Sequence, residues 1–291
     1  MLDEKLLRIR NWLSAPDPSI NYENALGSRQ HGTGLWFLNS EEYIEWKTNN
    51  PSPIWLYGIP GCGKSVLASG IIHDLLQLDE QRVGKIVVIY FFFNFSDEEK
   101  QKPHMMLRSL VNQLLQYCFI APVAIDEAFS SYQGRRKELP EELLMKMLLQ
   151  LANEFSTIYI VLDALDECTD QETLLEKILP QIIGWQLRHV YLIMTSRKEQ
   201  NIEDFLLDLV KRNYVISLQN NIVDKDIRLY IQHRLANDKH LKKHDPITRE
   251  KIENTLADGA HGMYETHLFR FEGFLLMLTV GLDGQYAKWM P

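Results

Sequence analysis

The chain has 291 residues, of which 45% are hydrophobic and 24% are charged, a composition that excludes disordered and fibrous proteins. Its formal net charge of -8 disfavours a nucleic-acid partner, because the chain as a whole repels phosphates. Three cysteines are too few for a disulfide framework, and no apolar run approaches the roughly 20 residues of a membrane-spanning helix. We therefore expect a cytoplasmic protein without a membrane span.

The first fifty residues are polar and rich in turn-forming residues. Their pattern predicts a short helix at Lys5–Leu13, then a loop, then a second short helix at Ser40–Lys47 that Ser40 caps. Residues 1–50 are therefore interpreted as an N-terminal segment that leads into the main domain.

Residues 51–220 alternate short apolar runs with helical patterns, which indicates an α/β fold with a five-stranded parallel sheet flanked by helices. The predicted strands are Ile54–Tyr57, Ile86–Phe93, Thr157–Leu162, Val190–Met194 and Tyr214–Leu218. The predicted helices are Ser65–Leu78, Leu107–Cys118, Glu141–Phe155 and one that runs through Ile178 and is bent by Pro180. Thr169 and Glu172 are expected to start the last of these helices as a capping box.

Only helical patterns follow Val223, at Asp224–Leu235 and Ile247–Leu256, and they predict a small helical subdomain over residues 221–263. His240 and His244 in the intervening loop have a spacing that suits metal binding. The lysines around them would repel a cation, so we expect a solvated surface there.

One glycine-rich segment carries a specific chemical pattern. It fits G-x-x-x-x-G-K-S/T, in which a tight glycine turn points successive N–H groups at a phosphate and the following helix directs its positive end there. Lys64 would reach the β- and γ-phosphates, and the Ser65 hydroxyl would ligate Mg²⁺. A glycine turn before a surface lysine is the alternative, which the position between a predicted strand and helix disfavours. The candidate nucleotide-binding residues are Gly58, Ile59, Pro60, Gly61, Cys62, Gly63, Lys64, Ser65 and Val66.

Asp163 lies at the carboxyl end of the third predicted strand, where a phosphate-bound Mg²⁺ needs a carboxylate. Asp163 is therefore the second candidate metal ligand, acting through water. Asp166 and Glu167 follow closely and are candidate catalytic residues that would polarise an attacking water. Which of the two is the base stays open, and the alternative is that both only favour the N-terminus of the next helix.

Arg197 directly follows the fourth predicted strand and is the third candidate catalytic residue. If that strand lies between the first and third strands, Arg197 would end beside the γ-phosphate and sense it. A solvated arginine at a strand end is the alternative.

Gly58–Ser65 together with Asp163-Ala164-Leu165-Asp166-Glu167 resembles the NACHT family of STAND-class P-loop NTPases, in which a small residue follows the metal-binding aspartate and acids lie just beyond. Over roughly residues 8–263 the chain is similar to the nephrocystin-type NACHT modules of fungal NOD-like receptor proteins. The resemblance implies the strand order 5-1-4-3-2, ATP or GTP with Mg²⁺, and a place for Arg29 beside the nucleotide base. It also implies a molecular switch with slow hydrolysis. In such a switch, nucleotide exchange permits self-association or co-assembly with related NACHT proteins, and hydrolysis returns the protein to its initial state.

Residues 264–291 depart from the family pattern and are expected to form a non-homologous, poorly packed tail. Two other functions stay open. One is a truncated, non-catalytic partner of full-length relatives, and the other is a P-loop small-molecule kinase whose lid Arg135 and Arg136 would supply. A GTPase is less favoured, because no Asn-Lys-x-Asp motif occurs.

Overall fold

The computed structural model describes residues 2–49, 51–79, 86–133, 139–218, 221–237 and 246–258. These residues form five strands: β1 (Ile54–Tyr57), β2 (Ile86–Phe92), β3 (Thr157–Asp163), β4 (Val190–Ser196) and β5 (Val215–Ser217). The helices before β3 are α1 (Leu2–Leu13), α2 (Ser19–Gly27), α3 (Leu35–Leu38), α4 (Glu41–Asn49), α5 (Lys64–Asp79), α6 (Pro103–Gln116), α7 (Val123–Tyr132) and α8 (Glu141–Ala152). The helices after β3 are α9 (Leu179–Gly184), α10 (Gln200–Leu209), α11 (Asn221–Asn237) and α12 (Pro246–Asp258).

The five strands form one sheet in the order β2-β3-β4-β1-β5, which confirms the predicted fold class and strand order. The strands β2, β3, β4 and β1 are parallel, and Phe92 pairs with Asp163 in register while Tyr57 pairs with Ser196. Parallel strands end at the same edge, so the carboxyl ends of β1, β3 and β4 lie along one edge of the sheet. The central strands β3 and β4 are buried almost throughout, as their continuous apolar runs predict.

The N-terminal segment contains two helices more than its sequence predicts, since α2 and α3 lie in the predicted loop. Asp17 accepts a hydrogen bond from the backbone N–H of Ser19 at 2.9 Å where α2 begins, and Asn21 of α2 accepts one from the Lys100 side chain at 2.6 Å. The local bond from Asp17 and the tertiary bond from Lys100 together stabilise a helix whose own pattern is weak. The predicted cap of α4 is confirmed, because the N–H of Tyr43 donates to the hydroxyl of Ser40 at 3.2 Å.

The prediction that Thr169 and Glu172 form a capping box is wrong. The hydroxyl of Thr169 donates to the carbonyl of Gln101 at 3.2 Å, and it is the Asp170 carboxylate that accepts the N–H of Thr173 at 3.1 Å. Residues Thr173–Ile178 then form a π-helical segment that leads into α9. Pro180 has no N–H to donate, which explains why the helix changes its hydrogen bonding at this point.

The described residues form two compact units. The first comprises Met1–Arg29, Leu38–Tyr57 and Lys64–Ile216 and includes β1 to β4. The second comprises Gln30–Phe37, Gly58–Gly63 and the described residues that follow Ile216, and within it α11 packs against α12.

The domain borders predicted at residues 50, 220 and 263 stay predictions. The predicted tail, the His240/His244 loop and the Arg135/Arg136 pair lie outside the described residues. Among the helices that the structure describes, none has the length and apolarity needed to cross a bilayer.

At one edge of the sheet, a side chain forms hydrogen bonds that a neighbouring strand would otherwise form. Strand β2 lies at the end of the strand order, and Gln113 of α6 pairs with the backbone of Tyr90 in this strand. The Tyr90 N–H donates to Oε1 of Gln113 at 3.0 Å, and Nε2 of Gln113 donates to the Tyr90 carbonyl at 2.8 Å. The buried amide of Gln113 therefore replaces the missing neighbouring strand at this residue, which protects the edge from pairing with another chain.

We expect Gln113→Leu to lower the free energy of unfolding by about 1–3 kcal/mol, because it leaves the N–H and carbonyl of Tyr90 without partners beside a buried leucine. Urea unfolding followed by circular dichroism measures the change. The matched control is Gln116→Leu at an exposed position of the same helix, expected within about 0.5 kcal/mol of the wild type. Equal effects of the two substitutions would contradict the structural role of Gln113.

Candidate functional site

Asp163, at the carboxyl end of β3, is only 2% exposed and accepts hydrogen bonds from two hydroxyl groups. Ser65, in the first turn of α5, donates to Oδ2 at 2.6 Å. Thr195, near the end of β4, donates to Oδ1 at 2.6 Å and itself accepts the N–H of Ala164 at 3.0 Å. The two residues predicted as Mg²⁺ ligands are therefore in direct contact, and a threonine that the sequence analysis did not connect with Asp163 orients this carboxylate.

Burial raises the pKa of Asp163, while the hydrogen bonds from Ser65 and Thr195 and the positive charge of Lys64 oppose that shift. A carboxylate that has lost its hydration in this way gains from a neighbouring cation. The hydroxyl of Ser65 and the carboxylate of Asp163 are hard oxygen donors, which Mg²⁺ prefers over nitrogen or sulfur. The residues present therefore fit a magnesium ion.

The loop Gly58–Gly63 has a conformation that depends on its glycines. Gly61 and Gly63 have φ values of +68° and +89°, in the left-handed region that favours glycine. A Cβ atom at Gly58 would lie 2.5 Å from Sγ of the buried Cys62, so a larger residue does not fit there. The loop closes with a hydrogen bond from the N–H of Cys62 to the carbonyl of Ile59 at 3.3 Å.

Lys64 and Ser65 are the first two residues of α5, a helix of 16 residues. The N–H groups in the first turn of a helix have no partner within the helix, and together with the helix dipole they favour an anion. The predicted binding residue Val66 also lies in this turn. The motif thus continues from the glycine loop directly into a helix N-terminus, as its pattern predicts.

Ala164 connects β3 to the acidic residues in a left-handed conformation, with φ +58° and ψ +53°. A side chain branched at Cβ is strained in this region, and Ala164 is buried, so a small unbranched residue suits this position. A 3₁₀ turn at Leu165–Glu167 follows and places the two acids in different surroundings.

Asp166 binds Arg197 through both of its carboxylate oxygens. The Nε of Arg197 lies 3.0 Å from Oδ2 of Asp166, and the backbone N–H of Arg197 donates to Oδ1 at 2.8 Å. The Asp166 side chain is 3% exposed, whereas that of Arg197 is 44% exposed. Both carboxylate oxygens are therefore used to orient the arginine, and β4 lies between β1 and β3 as the interpretation of Arg197 required.

Glu167 is half-buried and accepts the backbone N–H of Phe95 at its Oε2, at 2.9 Å. Burial raises the pKa of Glu167, and the negative charges of Asp166 and Asp163 raise it further, while the Phe95 hydrogen bond and the charge of Arg197 oppose the shift. A carboxylate with a raised pKa is a stronger proton acceptor, as a general base requires.

The structure places Arg29 against α5. A methyl group at Gly70 would lie 3.1 Å from the guanidinium carbon of Arg29, so Gly70 provides the space that the guanidinium occupies. Its predicted position beside a nucleotide base stays a prediction.

A parallel sheet in this order, with a buried aspartate at the end of β3 and a glycine loop between β1 and α5, defines a P-loop NTPase fold. A family model described as "Nephrocystin 3, N-terminal" matches residues 32–197, which is more than half of the chain. The chain therefore belongs to this family, and the interpretation as a NACHT-type P-loop NTPase is confirmed.

Among curated proteins, the chain is 26% identical over 260 residues to the vegetative incompatibility protein HET-E-1 of Podospora anserina, covering 83% of this chain and 18% of the relative. It is 24% identical over 197 residues to a proteasome-associated ATPase of Parafrankia sp., covering 65% of this chain and 30% of the relative. The chain thus spans less than a third of the length of these two relatives.

Solved structures with a similar chain include that of Drosophila ORC bound to DNA, at 15% identity and a TM-score of 0.47, covering 91% of this chain and 66% of that chain. The Aeropyrum pernix ORC1 protein in complex with DNA is 14% identical with a TM-score of 0.46, covering 91% of this chain and 69% of that chain.

We expect Thr195→Val to destabilise the protein by about 1–3 kcal/mol, because it removes a hydroxyl that Asp163 and the N–H of Ala164 both use. Thermal and urea unfolding measure the loss. The control is Thr157→Val at the start of β3, a substitution of the same chemistry at a partly exposed strand position. If both substitutions change stability equally, the hydroxyl of Thr195 has no particular role at Asp163.

Proposed function

We propose that this domain binds a magnesium-bound nucleoside triphosphate, ATP or GTP. The observation that carries the proposal is the 2.6 Å hydrogen bond between Ser65 and Asp163, which brings together the two side chains that a phosphate-bound magnesium ion would use. The positive φ values of Gly61 and Gly63 support a phosphate-binding loop directly before Lys64.

Ser65 and Asp163 would hold the metal ion, and Thr195 would keep the Asp163 carboxylate in orientation through its hydrogen bond to Oδ1. When bound, Mg²⁺ supplies positive charge that neutralises the β- and γ-phosphates. Lys64 would bind the same phosphates as a point charge, and the N-terminus of α5 would favour their negative charge.

We assign different roles to the two acidic residues. Glu167 would accept a proton from a water molecule whose oxygen attacks the γ-phosphorus, while the bond from that phosphorus to the bridging oxygen breaks. The products would be a nucleoside diphosphate and inorganic phosphate. Asp166 would act as a positioning residue, because both of its oxygens bind Arg197, whose exposed guanidinium would then stabilise the γ-phosphate charge.

At the level of the whole protein, we propose a nucleotide-dependent switch for signalling of the NOD-like-receptor type, in which the nucleotide controls association with further copies or related chains. The membership of the nephrocystin-type family and the similarity to a vegetative incompatibility protein support this proposal. Size-exclusion chromatography with light scattering, in ADP and in a non-hydrolysable ATP analogue, tests it. One and the same mass in both nucleotides would contradict a switch based on association.

Lys64→Ala is expected to weaken binding of a fluorescent ATP or GTP analogue by about 100-fold, because a buried phosphate charge would lose its cationic partner. Isothermal titration or fluorescence anisotropy with Mg²⁺ gives the dissociation constants. The control, Lys146→Ala at an exposed position of α8, should bind as the wild type does. Wild-type protein that binds neither nucleotide would overturn the proposed function.

Glu167→Gln is expected to lower kcat for phosphate release by about 100-fold with little change in nucleotide affinity, because the substituted amide cannot accept the water proton. Asp166→Asn should lower kcat by about tenfold through a misplaced Arg197. The matched control is Glu172→Gln, an exposed acid on the neighbouring segment, which should retain wild-type turnover.

The same assay separates the remaining functions. Binding without turnover in the wild type would favour a non-catalytic partner of longer relatives, whereas phosphate transfer to a small molecule would favour a kinase.

A further inference from the structure

The loop that follows β2 is a compact turn with its own hydrogen bonds. The N–H of Asn94 donates to the carbonyl of Lys100 at 3.2 Å and so closes the loop. Asp97 starts the 3₁₀ turn at Glu98–Gln101 by accepting the N–H of Glu99 at 3.1 Å. We call residues Asn94–Gln101 the β2 loop. Because the loop is closed on itself, it can hold another group in a fixed position.

The β2 loop is bound to the acidic turn that follows β3 at two places. The N–H of Phe95 donates to Oε2 of Glu167 at 2.9 Å, and the N–H of Thr169 donates to the carbonyl of Gln101 at 2.9 Å. Within the loop, the amide of Gln101 donates to the carbonyl of Phe95 at 2.6 Å. Gln101 therefore links the two connections and restrains Phe95 at its carbonyl, while the N–H of the same residue binds Glu167.

A long side chain such as Glu167 has several rotamers, and this side chain is only partly buried. A single charge-assisted hydrogen bond from a fixed backbone donor is enough to select one of them. In this position the carboxylate is near enough to Asp163 and Arg197 for their charges to act on it. The bond to Phe95 thus holds Glu167 beside the groups proposed to bind the metal ion and the γ-phosphate.

We propose that the β2 loop is a positioning element for Glu167: the backbone N–H of Phe95 sets the direction of the proposed base, and Gln101 holds that N–H in place. The inference rests on the proposed role of Glu167 in hydrolysis. It predicts that turnover depends on the β2 loop while nucleotide binding does not, because Lys64, Ser65 and Asp163 are held by α5 and the sheet.

The test uses the full chain and compares two variants of the β2 loop with a control variant and with Glu167→Gln. Phe95→Pro removes the N–H and should lower kcat at least about tenfold, with KM and the nucleotide dissociation constant within about twofold of the wild type. Glu98→Pro is the matched control. Residue 98 is the first of the 3₁₀ turn, and Asp97 before it has an extended backbone with φ -131° and ψ 103°, so proline fits there.

Gln101→Leu is the second variant and keeps the test valid if Phe95→Pro does not fold. It leaves the Phe95 N–H and the Glu167 side chain unchanged but removes the hydrogen bond from Gln101 to the Phe95 carbonyl. We expect kcat to fall by about threefold with unchanged KM, since the donor remains but moves more. Circular dichroism and thermal melting establish that each variant is folded.

The Glu167→Gln variant distinguishes the proposed role of Glu167 as a base from the proposed role of the β2 loop. If Glu167→Gln abolishes turnover while folded Phe95→Pro and Gln101→Leu hydrolyse at the wild-type rate, the role of the β2 loop is overturned and the base remains. If the wild type has no turnover, or if Glu167→Gln retains it, the proposed role of Glu167 in hydrolysis is wrong. The positioning role of the β2 loop is then wrong as well. A parallel loss of kcat and affinity would show that the loop acts on the whole fold.

Discussion

The carboxylate of Asp163 is the constraint on which the site depends. It is buried at the end of a central strand, where an unpaired charge would be strongly destabilising. Two hydroxyl groups compensate for the lost water, one from Ser65 in α5 and one from Thr195 in β4. The sheet order places β4 next to β3 and places β1, the strand that precedes α5 along the chain, next to β4, so that β4 and β1 lie on the same side of β3. The order of the strands is therefore what brings the proposed metal ligands together.

The two acids that follow Asp163 show how environment separates residues of the same chemistry. Asp166 and Glu167 are adjacent in one short turn, yet the first is bound at both oxygens by Arg197 and the second by one backbone N–H. Both oxygens of Asp166 are used in binding Arg197, whereas burial raises the pKa of Glu167 and makes it the better proton acceptor. The left-handed conformation of Ala164 starts the turn that separates them.

The sequence predicts the parts of the molecule that depend on local pattern. All five strands lie within two residues of their predicted limits, because buried parallel strands consist of continuous apolar runs. The glycine loop and Asp163 can be recognised in the sequence for a similar reason, since their chemistry requires fixed residue types at fixed spacing.

Features that depend on tertiary contact could not be predicted in the same way. The sequence pattern does not predict helices α2, α3, α7 and α10, and α2 is stabilised in part by a bond from the distant side chain of Lys100. The capping error has the same origin, because Thr169 binds the β2 loop and leaves Asp170 as the cap. The pairing of Asp166 with Arg197 likewise joins residues from the ends of two different strands.

The groups proposed for nucleotide binding and the group proposed for turnover are held by different parts of the structure. Asp163 and Thr195 belong to the central strands, and Ser65 to a long helix, so these groups move only if the core moves. Glu167 lies in a short turn whose carboxylate is bound by a backbone N–H in the β2 loop, where Phe95 is 70% exposed. Loops and exposed turns open at lower free energy than buried strands do. A change in the β2 loop would therefore move the proposed base while the proposed phosphate-binding groups stay fixed, so that hydrolysis could be altered without altering nucleotide binding.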